Sequence, residues 1–103
     1  MGYYGDVTLA RLEALKKFRE EVRSAELKID AEFQRVMGEA RVLLEMSDKE
    51  IADALSVSRP TVNRWVNGKN LPYYAMRRPI QTWIGEQISQ KIKRIEALAL
   101  VAV

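Results

Sequence analysis

The chain predicts an all-α fold: a helix-turn-helix unit flanked by a long N-terminal helical arm and a C-terminal amphipathic helix. Two observations lead there. Apolar residues recur at helical spacing on both sides of the centre, and the centre carries cap and stop residues for two short helices. The 103 residues allow one compact domain plus an extension.

The arm comes first. Leu15, Val22, Ile29, Val36 and Leu43 recur every seven residues, with Phe18 and Ala25 between them until Phe33 and Ala40 take over one place later. That drift turns the stripe around the helix. No proline interrupts the stretch from about Val7 to Met46, so the pattern fits one helix or two joined near Gly38, its weakest point. A stripe of this length must be covered. A self-association arm, with Leu15, Phe18, Val22 and Ile29 on its seam, is favoured over an arm folded back onto its own domain. Glu32 and Glu39 would interrupt a strict seam, which points to an antiparallel pairing or small bundle rather than a long two-stranded coil. Only the portion near Met37 to Met46 is expected to belong to the central unit.

Ser47 caps the next helix, and Glu50 three residues later can return to the cap amide as a capping box. That helix places Ile51, Ala52 and Leu55 on one face. A break at Ser56-Val57-Ser58 follows, and Pro60 fits the first turn of a second helix, where its missing N–H is no loss. Val62, Trp65 and Val66 point toward the first helix, and Gly68 ends the second in the left-handed conformation. Two short helices joined by so tight a turn cross steeply and need a small residue where their backbones meet. Ala52 supplies it, opposite Val62, and Trp65 contributes the large apolar area. Left outward are Arg59, Thr61, Asn63 and Arg64, with Ser58 at the cap.

After this unit Leu71 and Pro72 introduce a helical turn through Met76, and Pro79 is expected to open the last helix. Ile80, Trp83, Ile84, Ile88, Ile92, Ile95 and Leu98 form its stripe. Its second half, ending in the apolar Ala97 to Val103, exceeds what the central core should need, and Ile88 and Ile95 join the expected oligomer contacts. The resulting division is 1–36 for the arm, 37–78 for the central domain and 79–103 for the C-terminal helix.

The segment from Ser47 to Pro72 resembles the lambda-repressor-like, or Xre/Cro, family of DNA-binding domains. Ala52 stands at that family's small position, Val62 at its inner aliphatic position, and Trp65, Gly68 and Pro72 match its W-x-x-G-x-x-x-P ending. The likeness covers about 40 residues, and Ser56 stands where the family usually has glycine; a non-glycine residue in the left-handed region costs about 1 kcal/mol. The resemblance implies double-stranded DNA as partner and transcriptional regulation, most often repression by a dimer. Small regulators of the family serve in phages, mobile elements and toxin/antitoxin operons.

The charge distribution agrees. Net charge is only +3, but residues 47–78 hold 6 basic and 3 acidic side chains, whereas residues 1–46 hold 8 basic and 9 acidic ones. Between Asp53 and Glu86 no acidic residue occurs, and the window contains Arg59, Arg64, Lys69, Arg77 and Arg78. A surface that displaces counterions from phosphates needs this asymmetry. Arg59 and Arg64 suit guanine or a phosphate, Asn63 adenine, and Thr61 a phosphate or thymine methyl. Ser47 and Lys49 are expected to grip one backbone strand, and Asn67, Lys69, Asn70 and Tyr73 the other side of the groove. Trp65 is read as core.

Other classes are weaker. With no cysteine or histidine, disulfides and common zinc sites are unavailable, and no carboxylate spacing suggests a metal or acid/base pair, so no enzyme, cofactor or metal is expected. No apolar run approaches the roughly 20 residues of a membrane helix, and the N-terminus lacks a secretory pattern, so a cytoplasmic location is expected. The main rival is a helical adaptor using the helix-turn-helix only for packing, although such a unit has no reason to exclude carboxylates from its outward face. Replication, partition or packaging factors are further uses of a DNA-binding module.

Overall fold

The computed structural model describes the backbone of residues 2–101 and the side chains of residues 7–99. Among the described residues there are five helices and no strand: α1 (Gly2–Ser24), α2 (Asp30–Leu43), α3 (Asp48–Leu55), α4 (Arg59–Val66) and α5 (Tyr74–Val101). The apolar run at the C-terminus lies partly outside the described side chains.

The arm is folded back. Leu15, Phe18 and Val22 of α1 and Ile84, Ile88 and Ile92 of α5 are buried in one cluster that continues through Phe33, Val36 and Met37 of α2 to Ala52, Val62 and Trp65. Polar links order the pair. Lys16 lies 3.7 Å from Glu96, Arg19 donates to Ser89 at 3.4 Å, and Gln81 donates to the Val22 carbonyl at 2.6 Å, so α1 runs antiparallel to α5. This corrects the self-association reading. Leu15, Phe18, Val22 and Ile88 are interior residues of this chain and Ile95 is half-buried against the same core, while Ile29, 54 % exposed just before α2, lies outside that core and keeps its apolar side chain uncovered. A heptad stripe demands an apolar cover without specifying whose, and α5 provides it.

The division into segments changes for the same reason. α2 runs unbroken through the expected boundary between residues 36 and 37, and Phe33 and Val36 belong to the shared core. The arm instead breaks at residues 25–29. Neither proline nor glycine stands there. Ser24 turns its hydroxyl back onto the carbonyls of Glu20 and Glu21, which offers the backbone an alternative to continuing the helix. Gln81 takes the carbonyls of Val22 and Ala25, and Arg77 takes those of Leu27 and Lys28. Gly38 interrupts nothing, because a glycine costs only about 1 kcal/mol and its neighbours Met37 and Ala40 are held in the core.

Pro79 likewise lies inside α5, which begins at Tyr74 rather than at the proline. The carbonyl it cannot serve belongs to Ala75, and both residues are exposed, leaving that group open to water.

The three short-range helix ends share one device. At the end of α2, Met46 donates to the Arg41 carbonyl and Glu45 to that of Val42; after α3, Val57 donates to Ala52 and Ser56 to Asp53; after α4, Lys69 donates to Arg64 and Gly68 to Trp65. These paired bonds are Schellman endings, each with its pivot residue left-handed. The pivots are Glu45 at φ 55°, Ser56 at φ 57° and Gly68 at φ 75°. Ser56 therefore takes the turn without a remodelled backbone, and Glu45 does so unannounced by any glycine-like signal.

Candidate nucleic-acid interface

α3 and α4 form the expected motif. Ser47 accepts from the Glu50 amide while Glu50 accepts from the Ser47 amide, each at 3.1 Å, completing the capping box. Ser58 caps α4 by accepting from the Thr61 amide at 3.2 Å, and its hydroxyl lies 2.7 Å from that of Thr61. Ile51 and Ala52 meet Val62 and Trp65 in the core. The inward packing turns the rest of α4 to the surface.

Ser58, Arg59, Asn63 and Arg64 are exposed along that outer face, and Thr61 is half-buried beside them. Asn67, Lys69 and Asn70 continue the exposed line, with Asn70 in the left-handed region at φ 49°, and Tyr73 projects at 85 % exposure. Ser47 and Lys49 are exposed at the start of α3. Lys49 pairs with Asp53 at 3.1 Å, both well exposed, an ion pair weak enough to yield to a phosphate.

Asp48 is the residue that local sequence reasoning missed. Its side chain, 15 % exposed, accepts from Arg41 at 2.9 Å and from the Asn63 side-chain amide at 3.3 Å. Asn67 in turn donates to the Asn63 main-chain carbonyl at 2.9 Å and its side-chain oxygen at 3.3 Å. Asn63 is thus held by neighbours on both ends. Each of those bonds uses one of two hydrogens or lone pairs, so one donor and one acceptor remain for a base edge. No spacing rule links Asp48 to a residue 15 positions away on another helix, whereas Asn67 stands one helical turn from Asn63.

The hydrogen bond from Arg41 holds the Asp48 carboxyl below its ordinary value of 3.8, with the Asn63 bond and the charges of Arg41 and Arg59 adding to it and burial opposing. A depressed folded-state value means stabilisation present above the unfolded value and lost as pH falls through the folded one. Asp48→Asn is therefore expected to reduce stability at neutral pH and to flatten the acid limb of the pH–stability curve below about pH 4. Chemical denaturation from pH 2 to 7 would check it; parallel curves for the two proteins would contradict the network.

Two further features frame the surface. Gln34 of α2 donates to the Val66 carbonyl at 3.1 Å and lies against Gly68, where an added Cβ would approach its side-chain oxygen to 2.7 Å. A cleft of about 730 Å³ opens beside the motif, with Arg41, Lys49 and Arg59 on its walls and Asp48 among them. Those three cations suit a phosphate strand. Asp48 and Glu50 in the first turn of α3 oppose an anion there, so the grip expected at that helix end depends on the cations around it.

One member of the basic window does not face outward. Arg77 is 5 % exposed, donating from Nε to the Pro72 carbonyl and through a terminal nitrogen to Leu27, Lys28 and Asp30. It is a structural cation. No metal-ligating cluster occurs among the described residues, and no helix described is long and apolar enough to cross a membrane.

No curated protein and no solved structure matches the chain. A family profile described as helix-turn-helix matches residues 37–72, from the middle of α2 to the proline after α4. With the capped α3, the left-handed turn and the outward face of α4 in place, residues 37–72 form a helix-turn-helix similar to that of the lambda-repressor-like family of DNA-binding domains.

Proposed function

We propose that the protein is a sequence-specific double-stranded DNA-binding regulator that places α4 in the major groove and acts by occupying a promoter, as a repressor. The observation that carries this reading is the division of α4 into two faces. Val62 and Trp65 are interior, while Arg59, Asn63 and Arg64 stand exposed with no carboxylate in their own helix. Arginine offers two parallel donors to guanine, and asparagine a donor and acceptor to adenine. Lys49, Arg41, Lys69, Asn70 and Tyr73 flank this ridge where phosphates would run. A packing-only role gives no reason for such a face.

Binding as a dimer belongs to the same proposal, but not through the stripe of α1. Leu9 and Leu98, exposed on α1 and α5, are apolar positions left uncovered in this chain. Half-site spacing in selected duplexes, together with light scattering of the complex, would report the number of copies bound; a single uninterrupted half-site would exclude pairing on DNA.

Arg64→Ala and Asn63→Ala are each expected to weaken binding to a selected site by about 1–3 kcal/mol and to relax base preference at one position, with thermal stability unchanged for Arg64→Ala. Lys69→Ala should instead weaken all duplexes alike and reduce the dependence of affinity on salt. Mobility shifts across a salt series distinguish the two behaviours. Undiminished binding by both ridge variants would remove α4 from the groove.

A further inference from the structure

We infer that the groove between α1 and α5 is a binding site for a small phosphorylated ligand, distinct from the DNA-facing ridge. The groove measures about 730 Å³, and its walls carry Arg19, Lys28, Arg78 and Lys93. None of these four has a carboxylate within 4.0 Å among the described residues, whereas eight of the other thirteen arginines and lysines do. Arg19 is the most telling. It is half-buried, its Nε is buried without any acceptor, and its guanidinium reaches only Ser89 at 3.4 Å. A partly desolvated guanidinium lacking a counter-ion is costly, and an anion seated beside it removes that cost.

The groove also has room beside Gly85. Gly85, in the middle of α5, has no atom within 4 Å of where a Cβ would stand. Glycine inside a helix is unfavourable by about 0.5–1 kcal/mol relative to alanine, and no neighbour requires it here. Its bare backbone widens the space between the cationic walls. Thr82 and Gln90 add neutral hydrogen-bonding groups, and the exposed Tyr74 ring lies at the same groove.

A small ligand fits better than a second stretch of duplex. Glu26 and Glu86 line the groove too, and two carboxylates repel a continuous phosphate chain, while a compact anion can sit among the cations away from them. The ligand class is thus a phosphate ester or polyphosphate, with a nucleotide able to use the Tyr74 ring as well.

Calorimetric titration of the full chain with sodium tripolyphosphate, and separately with ATP, tests this. Both are expected to bind; tighter binding of ATP would assign a contribution to the nucleoside, and equal binding would assign recognition to the phosphates alone. Gly85→Leu, whose Cβ meets no protein atom within 4 Å and whose longer side chain intrudes on the groove, and Lys93→Glu, an exposed charge reversal, should each weaken binding at least about tenfold, and Arg64→Ala should leave it unchanged. If Gly85→Leu fails to fold, Lys93→Glu and Arg78→Glu decide the matter. The inference is overturned by absence of heat with both probes, by binding indifferent to the groove variants, or by loss in Arg64→Ala. It is equally overturned if Lys93→Glu weakens random-duplex binding as much as Arg64→Ala does, which would assign the groove to the DNA backbone.

Discussion

Arg77→Ala is expected to destabilise the fold by about 2–4 kcal/mol, because three main-chain carbonyls lose their donor at once. Those of Pro72, Leu27 and Lys28 accept from Arg77 at 2.9, 2.9 and 3.2 Å. The guanidinium also lies 5.3 Å from the Phe33 ring centroid and 4.7 Å from that of Tyr74, so the substitution removes packing as well as hydrogen bonds. In a chain of this size such a loss lowers Tm by about 10 °C or more. Asp30, the one acid in the cluster, is 70 % exposed, and Asp30→Asn should cost less than about 1 kcal/mol. Arg77→Lys should rescue little, since a single ammonium cannot serve Pro72 on one side and Leu27 with Lys28 on the other. Thermal and urea unfolding of the three variants would check this order. A stable Arg77→Ala protein that had lost DNA affinity would return Arg77 to the DNA-facing surface.

Arg77 also shows where sequence reasoning stops. Arg59, Arg64, Arg77 and Arg78 look alike in an acid-free window, and only the fold separates the buried member from the others. What was legible had short-range causes. Ser47 with Glu50, Ser58 with Pro60, and Gly68 lie within a turn of the helix ends they define, and Ala52 opposite Val62 follows from the crossing of two short helices. The outward ridge of α4 then followed from its inward face. The break at residues 25–29 was hidden because its carbonyls are satisfied by Gln81 and Arg77, about 50 residues on in sequence. The cover of the α1 stripe was hidden for a related reason. Seven-residue spacing is the same whether the partner helix belongs to a second chain or, like α5, to the same one. Asp48 escaped because an acid at a helix start has a sufficient local explanation in the helix dipole, which masks its link to Asn63.

Trp65→Ala is expected to cost about 3–5 kcal/mol, a large share of the total stability of a domain this size, and to abolish DNA binding by releasing α4 rather than by removing a DNA contact. Trp65 is 3 % exposed and meets Phe33 edge to face, ring centroids 6.0 Å apart at an interplanar angle of 77°. It is the residue through which α4 leans on α2, and its carbonyl also accepts from the Gly68 amide at the helix end. The alternative role of a base-stacking platform requires an exposed ring face, which this side chain lacks. Trp65→Phe separates the two accounts. It keeps an aromatic ring against Phe33 and removes only part of the buried area, so it should cost clearly less than the alanine variant and retain affinity for a selected duplex at temperatures where it is folded. Urea unfolding and duplex titration on the same samples would give both quantities. Were Trp65→Phe as stable as the parent but unable to bind, the indole would be a DNA contact, and the ridge of Arg59, Asn63 and Arg64 would need a different orientation on the groove.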